Sequence, residues 1–448
     1  MSRPLRIAVF VGSFPVTSET FIVRQITGLL ELAQEPDIYA DTRAEGPLHP
    51  EVSSYRLLER TTYLDVPPET VPWEMPVWPI TGRTWPPGSA TSVSNSVRVA
   101  RALPKLYRCL MTVPRLTRQA LRRTEYGYQA ASLSALYRLA TLVAAGKKYD
   151  VLHAHFGPIG NSYRFAGELW NAPLVVSFHG YDFSTLPRKE GAGVYARLFE
   201  TADLFTVNSQ YTRRQVEKLG CRPEKIRPLP VGLDLAEFPF KARTRGAGEP
   251  TRILTIGRLV EIKGHEQVIR AVRKLRECHP AIRYDIVGDG PLRSRLGALV
   301  GQLGLPDVVT FHGAKAGPDV KRLMDEAHVF VLASVSVEGD QEGQGLVLQE
   351  AQAVGLPVIA TNHGALPEGI VVGESGFLVP ERDDEALVDR LSHLIEHPEI
   401  WPLMGRKGRA FVERHYDVRK LNVELVKIYS EAVESYRARH HAGCSSQV

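Results

Sequence analysis

Short apolar segments alternate with helix-like segments along almost the whole chain of 448 residues. This alternation is typical of βαβ units, in which parallel strands form one sheet and helices cover its faces. The sequence therefore predicts an α/β protein. In the first half the predicted strands are Ile7–Val11, Val151–His155, Leu174–Phe178, Leu204–Val207 and Ile226–Pro228. In the second half they are Ile253–Ile256, Tyr284–Val287, Val308–Phe311, Val329–Leu332, Pro357–Ala360 and Gly376–Val379.

The chain is long enough for two domains, each able to bury its own core. Residues 240–250 lack apolar periodicity and contain Gly and Pro, so they are predicted to link the domains. We expect an N-terminal domain over residues 1–239 and a C-terminal domain over residues 250–415. A last helix within residues 416–448 is expected to cross back to the first domain. Residues 41–140 resemble no pattern that we can name and are treated as a variable insert.

Composition indicates an ordinary soluble globular protein, because 44% of the residues are hydrophobic and 23% are charged. Cys109, Cys221, Cys278 and Cys444 show neither metal-ligand spacing nor a disulfide framework, which suits a reducing cytosol. The first apolar segment is too short for a signal peptide, and no segment is long enough to span a membrane. A cytoplasmic protein, or one attached peripherally to the inner face of the plasma membrane, is expected.

Basic residues are concentrated between positions 98 and 123, where eight Arg or Lys residues and no acidic residue occur among leucines. Trp73, Trp78 and Trp85 lie just upstream. Basic helices with aromatic neighbours are attracted to anionic membranes, by roughly 1 kcal/mol per basic side chain. The alternative is a pair of helices with a solvated basic face. A nucleic-acid partner is not predicted, because no recognised binding module accompanies the basic residues.

The segment from Glu342 to Thr361 combines a Gly-rich loop, an apolar helix-like stretch and a predicted strand. Gly343 and Gly345 would allow the backbone to approach a ligand closely. Free N–H groups at the helix start would face a phosphate or sugar hydroxyls. Glu342 in the loop and Glu350 in the helix could accept hydrogen bonds from hydroxyls. The segment therefore predicts a site for a phosphorylated or hydroxyl-rich ligand.

Two cations and a histidine follow other predicted strands. Arg258 and Lys263 lie in the loop and helix start after the strand ending at Ile256. A planar guanidinium and an ammonium point charge together suit a diphosphate. His179 ends a predicted strand directly before Gly180, and in open parallel sheets ligands bind beyond the carboxyl ends of the strands.

The strand, loop, Glu, helix, strand and loop order of residues 342–368 resembles the donor-binding signature of retaining GT-B glycosyltransferases with a Glu-x7-Glu motif. Residues 13–22, 153–157 and 177–182 are similar to the exopolysaccharide branch of that family, which includes colanic acid and amylovoran transferases. The resemblance covers nearly the whole chain except residues 41–140. It implies a GT-B architecture of two doubly wound, Rossmann-like parallel-sheet domains that face a central cleft.

The implied activity is retaining transfer of a sugar from a nucleoside-diphosphate sugar to a hydroxyl of a glycan or lipid-linked saccharide. The resemblance implies a role in bacterial exopolysaccharide or cell-envelope glycan synthesis. It implies no metal and no cofactor, because cationic side chains stabilise the leaving diphosphate and the nucleotide sugar is a co-substrate. The leaving β-phosphate would itself take the acceptor proton, and the protein would supply positioning and electrostatic stabilisation.

The resemblance also implies roles for individual residues. The predicted catalytic residues are His179, Arg258, Lys263 and Glu342. The predicted donor-binding residues are Gly12 after the first strand, Gly343, Gln344, Gly345, Leu346 and Glu350, with Glu350 on the ribose. Glu19 and Asp182 are the predicted acceptor contacts, although Glu19 could equally cap a helix beside Thr17 and Ser18. His153 and His155 could belong to the core or to the cleft.

Three other functions are compatible with the same fold. A sugar-nucleotide epimerase would need no acceptor, and a phosphorylase would need a pyridoxal-binding Lys that the sequence does not identify. A non-catalytic sugar-nucleotide-binding protein would be expected to lack part of the set Arg258, Lys263, Glu342 and Glu350, and all four are present. Gly288 and Gly290 do not complete a dinucleotide fingerprint, so a nicotinamide cofactor is not predicted.

Overall fold

The computed structural model describes residues 3–444 apart from 17–18, 47, 65, 67–94 and 316. The described residues form two compact units, each built on a parallel sheet. The first unit contains the described parts of residues 1–207, 213–229 and 422–448, and the second contains residues 208–212 and 230–421. The prediction of two Rossmann-like α/β domains is confirmed.

In the described part of the first unit, seven strands form the sheet. They are β1 (Arg6–Phe14), β2 (Glu35–Arg43), β3 (Thr61–Tyr63), β4 (Val151–His155), β5 (Leu174–Phe178), β6 (Leu204–Val207) and β7 (Ile226–Pro228). Their spatial order is β3-β2-β1-β4-β5-β6-β7, and all neighbours are parallel. Every residue of β4, β5 and β6 is buried, as expected for parallel strands covered by helices on both faces.

The first sheet differs from the prediction in three strands. β1 does not end at Val11, because its pairing with β2 continues to Phe14 opposite Arg43. Gly12 therefore lies inside a strand and not after one. β2 and β3 were not predicted, and they show that residues 41–43 and 61–63, which belong to the presumed insert, contribute to the sheet.

Helices cover this sheet, and the last helix of the chain returns to the same unit. The helices before the second sheet are α1 (Thr20–Glu31), α2 (Pro50–Ser54), α3 (Asn95–Thr112), α4 (Pro114–Ala120), α5 (Arg123–Ala131), α6 (Ser134–Ala145), α7 (Gly157–Ser162), α8 (Phe165–Trp170), α9 (Thr185–Glu190), α10 (Ala196–Thr201) and α11 (Gln210–Lys218). Among the residues that the structure describes, no helix has the length and hydrophobicity needed to cross a membrane.

The second unit contains six described strands. They are β8 (Thr251–Ile256), β9 (Ile282–Val287), β10 (Val309–Gly313), β11 (Val329–Leu332), β12 (Val358–Thr361) and β13 (Gly376–Val379). The parallel order is β10-β9-β8-β11-β12-β13, so the direction of strand addition reverses at β8 and β11. Ligands of open parallel sheets bind beyond the carboxyl ends of the strands at such a switch point. The loops after β8 and β11 flank that position.

Helices of the second unit are α12 (His265–Cys278), α13 (Arg293–Gln302), α14 (Gly317–Glu326), α15 (Leu346–Ala353), α16 (Asp384–Glu396) and α17 (Trp401–His415), and α18 (Val418–Cys444) follows them. Short 3₁₀ helices span Leu57–Arg60, Ala192–Tyr195, Pro223–Lys225, Leu235–Glu237, Glu261–Lys263, Leu366–Gly369 and Pro398–Ile400. The segment 240–250, predicted as a linker, belongs to the second unit. Its Arg243 is buried and donates hydrogen bonds to the carbonyls of Asp325 and Val354.

Candidate functional site

The predicted cation and carboxylate of the second unit meet in the structure. Lys263, which ends the 3₁₀ helix after β8, lies 2.5 Å (Nζ to Oε1) from Glu342 in the loop after β11. Ser334 Oγ donates a hydrogen bond of 3.1 Å to the same carboxylate oxygen. Both side chains of the pair are mostly buried, with 15% and 13% of their surfaces exposed. A charged pair therefore sits beside the switch point of the sheet.

Electrostatics keep this carboxylate ionised. Burial alone would raise the pKa of Glu342, but the Lys263 ammonium and the hydrogen bonds to Lys263 and Ser334 lower it below its ordinary value. Arg258 belongs to the same electrostatic environment. Burial lowers the pKa of Arg258, while the nearby Glu342 and Asp340 carboxylates oppose that shift. A guanidinium stays charged at any physiological pH, so the site carries two cations.

The backbone explains why Lys263 reaches this position. Gly264 follows it with φ +63° and forms the N-cap of α12. A β-carbon on Gly264 would lie 1.7 Å from the carbonyl oxygen of Ala333, which follows β11. Only glycine permits this approach of the two loops, and the approach brings Lys263 to Glu342.

The main chain of Glu342 is held from the loop after β12. Its N–H donates to Nε2 of His363 at 3.0 Å, and its carbonyl accepts from the N–H of Ala365 at 3.0 Å. A β-carbon on Gly364, whose φ is +52°, would lie 2.4 Å from that carbonyl oxygen. His363 is fully buried, and its Nδ1 lies 2.9 Å from Oε1 of Glu381 in the loop after β13.

Sequence reasoning missed His363 and Glu381 as individual site residues. Both lie two residues beyond the end of a strand, at the edge where the ligand-binding loops of a parallel sheet gather. That position is the signal that could have identified them.

The Gly-rich loop leads into α15 as predicted. Gly345 adopts φ +73° as the N-cap, Leu346 is the first helical residue, and Glu350 follows one turn later. The side-chain amide of Gln344 is buried and forms two 2.8 Å hydrogen bonds with the main chain of Val231. The carbonyl of Gly343 accepts a bond from Ser209 Oγ. The side chain of Gln344 therefore fixes the position of the loop.

In the first unit, His155 and His179 face each other at the carboxyl ends of β4 and β5. His155 Nδ1 lies 3.2 Å from His179 Nε2, and the two rings are stacked. The ring of Phe21 lies 4.8 Å from the ring of His179. Burial lowers the pKa of His179 to about 3 and holds that of His155 well below its ordinary value. Both imidazoles are therefore neutral at physiological pH, and one of the facing nitrogens donates a hydrogen bond to the other.

His153 belongs to the core of the first unit. It is fully buried, with Nε2 at 2.7 Å from Ser177 Oγ and Nδ1 at 2.7 Å from the hydroxyl of Tyr429 on α18. Burial lowers its pKa to about 3. The residue joins β4, β5 and the last helix through hydrogen bonds, which satisfies both of its nitrogens.

The two predicted acceptor residues occupy different environments. Asp182 is fully buried and accepts main-chain hydrogen bonds from Gly157, His179 and Gly180, so it shapes the loop that carries His179. Burial raises its pKa to about 6. Glu19 is the N-cap residue of α1 but its side chain makes no capping hydrogen bond, and burial raises its pKa to about 7. Thr17 and Ser18 lie outside the described residues.

Comparisons with known proteins identify the family to which the chain belongs. A family model of glycosyl transferases group 1 matches residues 238–411, and a glycosyl transferase 4-like domain matches residues 19–232. The putative colanic acid biosynthesis glycosyltransferase WcaL of Escherichia coli is 32% identical over 95% of this chain and 99% of its own length. The amylovoran biosynthesis glycosyltransferase AmsK of Erwinia amylovora is 32% identical over 92% of this chain and 96% of its own.

Solved structures give the same fold. HepE of Anabaena, solved in complex with UDP, superposes with a TM-score of 0.68 at 17% identity, over 95% of this chain and all of that one. Sucrose-phosphate synthase of Thermosynechococcus elongatus superposes with a TM-score of 0.67 at 20% identity, over 97% of this chain and all of that one.

The two Rossmann-like domains thus have the GT-B fold, as the sequence resemblance implied. The chain belongs to the group 1 glycosyltransferases with a family 4-like N-terminal domain. It is a glycosyltransferase, and the epimerase and non-catalytic alternatives are not favoured.

Proposed function

We propose that the protein transfers a sugar from a nucleoside-diphosphate sugar to a hydroxyl group, with retention of anomeric configuration. The observation that carries the proposal is the placement of Lys263, Arg258 and Glu342 at the switch point of the second sheet. Two cations there suit a leaving diphosphate, and an ionised carboxylate suits sugar hydroxyls. The structures of HepE with UDP and with UDP-glucose support a nucleotide-sugar donor.

In the proposed reaction, the bond between the anomeric carbon and the β-phosphate oxygen breaks while the acceptor oxygen bonds on the same face of the sugar. The acceptor proton passes to the departing phosphate. Lys263 and Arg258 stabilise the charge that develops on the diphosphate, and Glu342 orients the sugar. Glu350 binds the ribose, and the main-chain amides of residues 343–346 lie beside the sugar and phosphates. His179 contacts the sugar as a neutral imidazole.

The acceptor is proposed to be a glycan or lipid-linked saccharide, at the inner face of the plasma membrane. The names of WcaL and AmsK place those relatives in colanic acid and amylovoran biosynthesis, which supports a role in exopolysaccharide synthesis here. The test is a transfer assay with UDP-, GDP- and ADP-sugars and lipid extracts as acceptors, followed by NMR of the product. Retention requires the anomeric configuration of the donor in the product, and an inverted product would contradict the proposed mechanism.

Metal independence gives a direct prediction. Transfer should persist in excess EDTA, because Lys263, Arg258 and the amides at the start of α15 neutralise the diphosphate without a metal ion. The measurement is the initial rate with and without the chelator, after dialysis of the protein. A complete loss of activity that added Mg²⁺ or Mn²⁺ restores would show that a metal takes part.

We also propose that α3 and α4 attach the protein to an anionic membrane surface. In α3, Val99, Leu103, Tyr107 and Met111 recur every four residues and share one face, and all four are exposed. Tyr107 and Met111 expose 70% and 71% of their surfaces, so both side chains lie almost entirely in solvent. The buried residues of the same helix include Ala102 and Cys109, so the exposed apolar face points away from the unit.

The positive charge of α3 and of the residues that follow it favours an anionic partner. Arg101, Arg108, Arg118, Arg122 and Arg123 are exposed. Residues 95–124 contain no acidic residue. An apolar face with a basic border fits the acyl and headgroup boundary of an anionic bilayer. Arg98, predicted as part of the basic surface, is buried instead, because it lies four residues before Ala102 on the packed side of α3. Trp73, Trp78 and Trp85 lie outside the described residues.

Binding to vesicles tests this surface. The protein should sediment with vesicles containing phosphatidylglycerol and be released by salt, since screening shortens electrostatic attraction to roughly 8 Å at physiological ionic strength. The triple substitution Arg101→Gln, Arg108→Gln, Arg118→Gln should weaken binding roughly 100-fold, because three charges at roughly 1 kcal/mol each near the surface amount to about 3 kcal/mol. The variant with Leu103→Ser, Tyr107→Ser and Met111→Ser should also bind weakly.

Matched controls remove the same kinds of groups from the second unit and from α18. The control for charge replaces the exposed residues Arg406, Arg414 and Arg419 with Gln. The control for apolar area replaces the exposed residues Leu403, Val372 and Val423 with Ser. These control variants should bind as the wild type does. Equal partitioning onto neutral phosphatidylcholine vesicles, or a wild type that binds neither kind of vesicle, would rule out this attachment. A dimer that becomes a monomer in the apolar variant would assign the face to a second copy of the chain.

A further inference from the structure

One carboxylate ties together the loops that follow three neighbouring strands of the second sheet. Glu381, after β13, accepts from the N–H of Ser336 at 2.6 Å and from Ser336 Oγ at 3.0 Å, in the loop after β11. It also binds Nδ1 of His363, after β12, at 2.9 Å. Nε2 of His363 in turn accepts a hydrogen bond from the main chain of Glu342. The side chain of Glu342 then connects to Lys263, after β8. The connection therefore crosses four adjacent strands.

We propose that His363 and Glu381 are positioning residues for the sugar-binding carboxylate of Glu342, and that they act through one fixed tautomer of His363. The inference rests on the proposed role of Glu342 in donor binding. Neither residue needs to touch the substrate, because His363 holds the backbone of Glu342 and Glu381 holds the ring of His363. The site then gains a Glu342 whose position is fixed before a donor arrives.

The hydrogen-bond donors and acceptors define the tautomer. A backbone N–H can only donate, so Nε2 of His363 must be the unprotonated nitrogen that accepts from Glu342. Nδ1 must then carry the proton and donate it to the Glu381 carboxylate, which can only accept while it is ionised. The Glu381 carboxylate is hydrogen-bonded to this ring, and the ring also interacts electrostatically with the Glu342 carboxylate, which pairs with Lys263.

Glu381→Gln tests the tautomer with almost no change in shape. A Gln amide that accepts from the N–H of Ser336 must present its NH₂ group to His363, so two donors face each other. His363 can relieve this conflict only by moving its proton to Nε2, where it opposes the N–H of Glu342. If the Gln amide is turned around, its NH₂ group faces the N–H of Ser336 instead. Either arrangement breaks one of the two bonds that fix the loops.

Two substitutions of His363 separate its two hydrogen bonds. The amide oxygen of Gln in His363→Gln reaches approximately the position of Nε2 and can still accept from Glu342. The amide of Asn in His363→Asn lies nearer the position of Nδ1, so it can reach Glu381 but leaves the Glu342 N–H without its acceptor. His363→Gln should therefore retain most activity, while His363→Asn and Glu381→Gln should each lower kcat about tenfold or more.

Comparing kcat with the affinity for the free nucleoside diphosphate distinguishes a positioning role from general disruption of the site. Glu342 is proposed to contact the sugar, so the affinity for the free nucleoside diphosphate should stay within about twofold of wild type in all three variants. In the double variant His363→Gln with Glu381→Gln, the second substitution should add little, because the ring whose tautomer matters is absent. The matched control is Glu374→Gln, which removes an exposed carboxylate that pairs with Lys407.

Amide hydrogen exchange of the peptide containing Glu342 tests the contact without any activity assay. Exchange should be at least about tenfold faster in His363→Asn and Glu381→Gln than in the wild type or His363→Gln. If exchange follows this pattern but the wild type transfers no sugar, the proposed function fails and the contact stands. Equal kcat in Glu381→Gln and wild type, or equal losses in His363→Gln and His363→Asn, would overturn the inference. So would a parallel loss of nucleoside-diphosphate affinity.

Discussion

Lys263→Ala or Arg258→Ala should reduce kcat/KM by roughly 30- to 1,000-fold, which corresponds to about 2–4 kcal/mol of lost transition-state stabilisation. Each side chain is expected to bind the diphosphate most strongly when the leaving group carries its full charge, so kcat should fall along with kcat/KM. The measurement is the initial rate of transfer over a range of donor concentrations. Both variants should bind the free nucleoside diphosphate more weakly.

Two controls accompany this prediction. Lys274→Ala and Arg270→Ala remove cations from α12 that pair with the acidic residues Glu385 and Glu266, and they should leave the rate unchanged. Lys263→Ala also leaves the buried Glu342 carboxylate without its ion-pair partner, so its melting temperature should fall. Rates are therefore compared well below the melting temperature of each variant. Near-wild-type turnover by both folded variants would remove these residues from the mechanism.

Glu342→Gln should change the binding of the nucleoside diphosphate and the rate of sugar transfer in opposite directions. In the structure the Glu342 carboxylate lies 2.5 Å from the Lys263 ammonium. The negative charge of a bound diphosphate is expected to contact the same ammonium. Removing the carboxylate charge should tighten the binding of free nucleoside diphosphate about three- to tenfold, because a competing anion is lost. It should lower kcat about 10- to 100-fold, because the sugar loses a hydrogen bond to a charged acceptor.

These opposite signs make the test specific. A substitution that merely loosened the site would weaken diphosphate binding and lower the turnover as well. Isothermal titration with the nucleoside diphosphate gives the first constant, and donor saturation kinetics give the second. Weaker diphosphate binding in Glu342→Gln would contradict the proposed competition for Lys263, and unchanged kcat would remove Glu342 from the sugar site.

Most of the strands could be predicted from the sequence as short apolar segments, and β4, β5, β6, β11 and β12 are buried along their whole length. The predicted limits of β4, β5, β6, β7, β11 and β13 coincide with the observed ones. β2 could not be recognised, because Glu35, Pro36 and Asp37 at its start suggest a turn, and its buried centre is only Ile38 to Ala40. β3 has three residues, too few for a periodic pattern. Pairing with β1 decides β2, pairing with β2 decides β3, and neither pairing is visible in local sequence.

The neighbourhood of the site could be predicted, but its contacts could not. The rule that loops converge beyond the carboxyl ends of parallel strands brought Lys263 and Glu342 to one edge of the sheet, as the structure shows. Their ion pair depends on the approach of Gly264 to Ala333, which is a property of two folded loops. The inward orientations of Gln344 and Asp182 depend on main-chain groups of Val231 and Gly157 that lie far away in the sequence.

Titration of the wild type and of Lys263→Ala with UDP-, GDP- and ADP-sugars tests the proposed donor site most directly, since it needs no acceptor. One class of nucleotide sugar should bind the wild type without added metal, and its affinity should fall at least about tenfold in Lys263→Ala, as expected for the loss of a charge-assisted contact to phosphate. The control variant Lys274→Ala should bind that sugar as the wild type does. Binding of every nucleotide sugar with equal strength to the wild type and Lys263→Ala, or to neither, would contradict a donor site at Lys263 and Glu342.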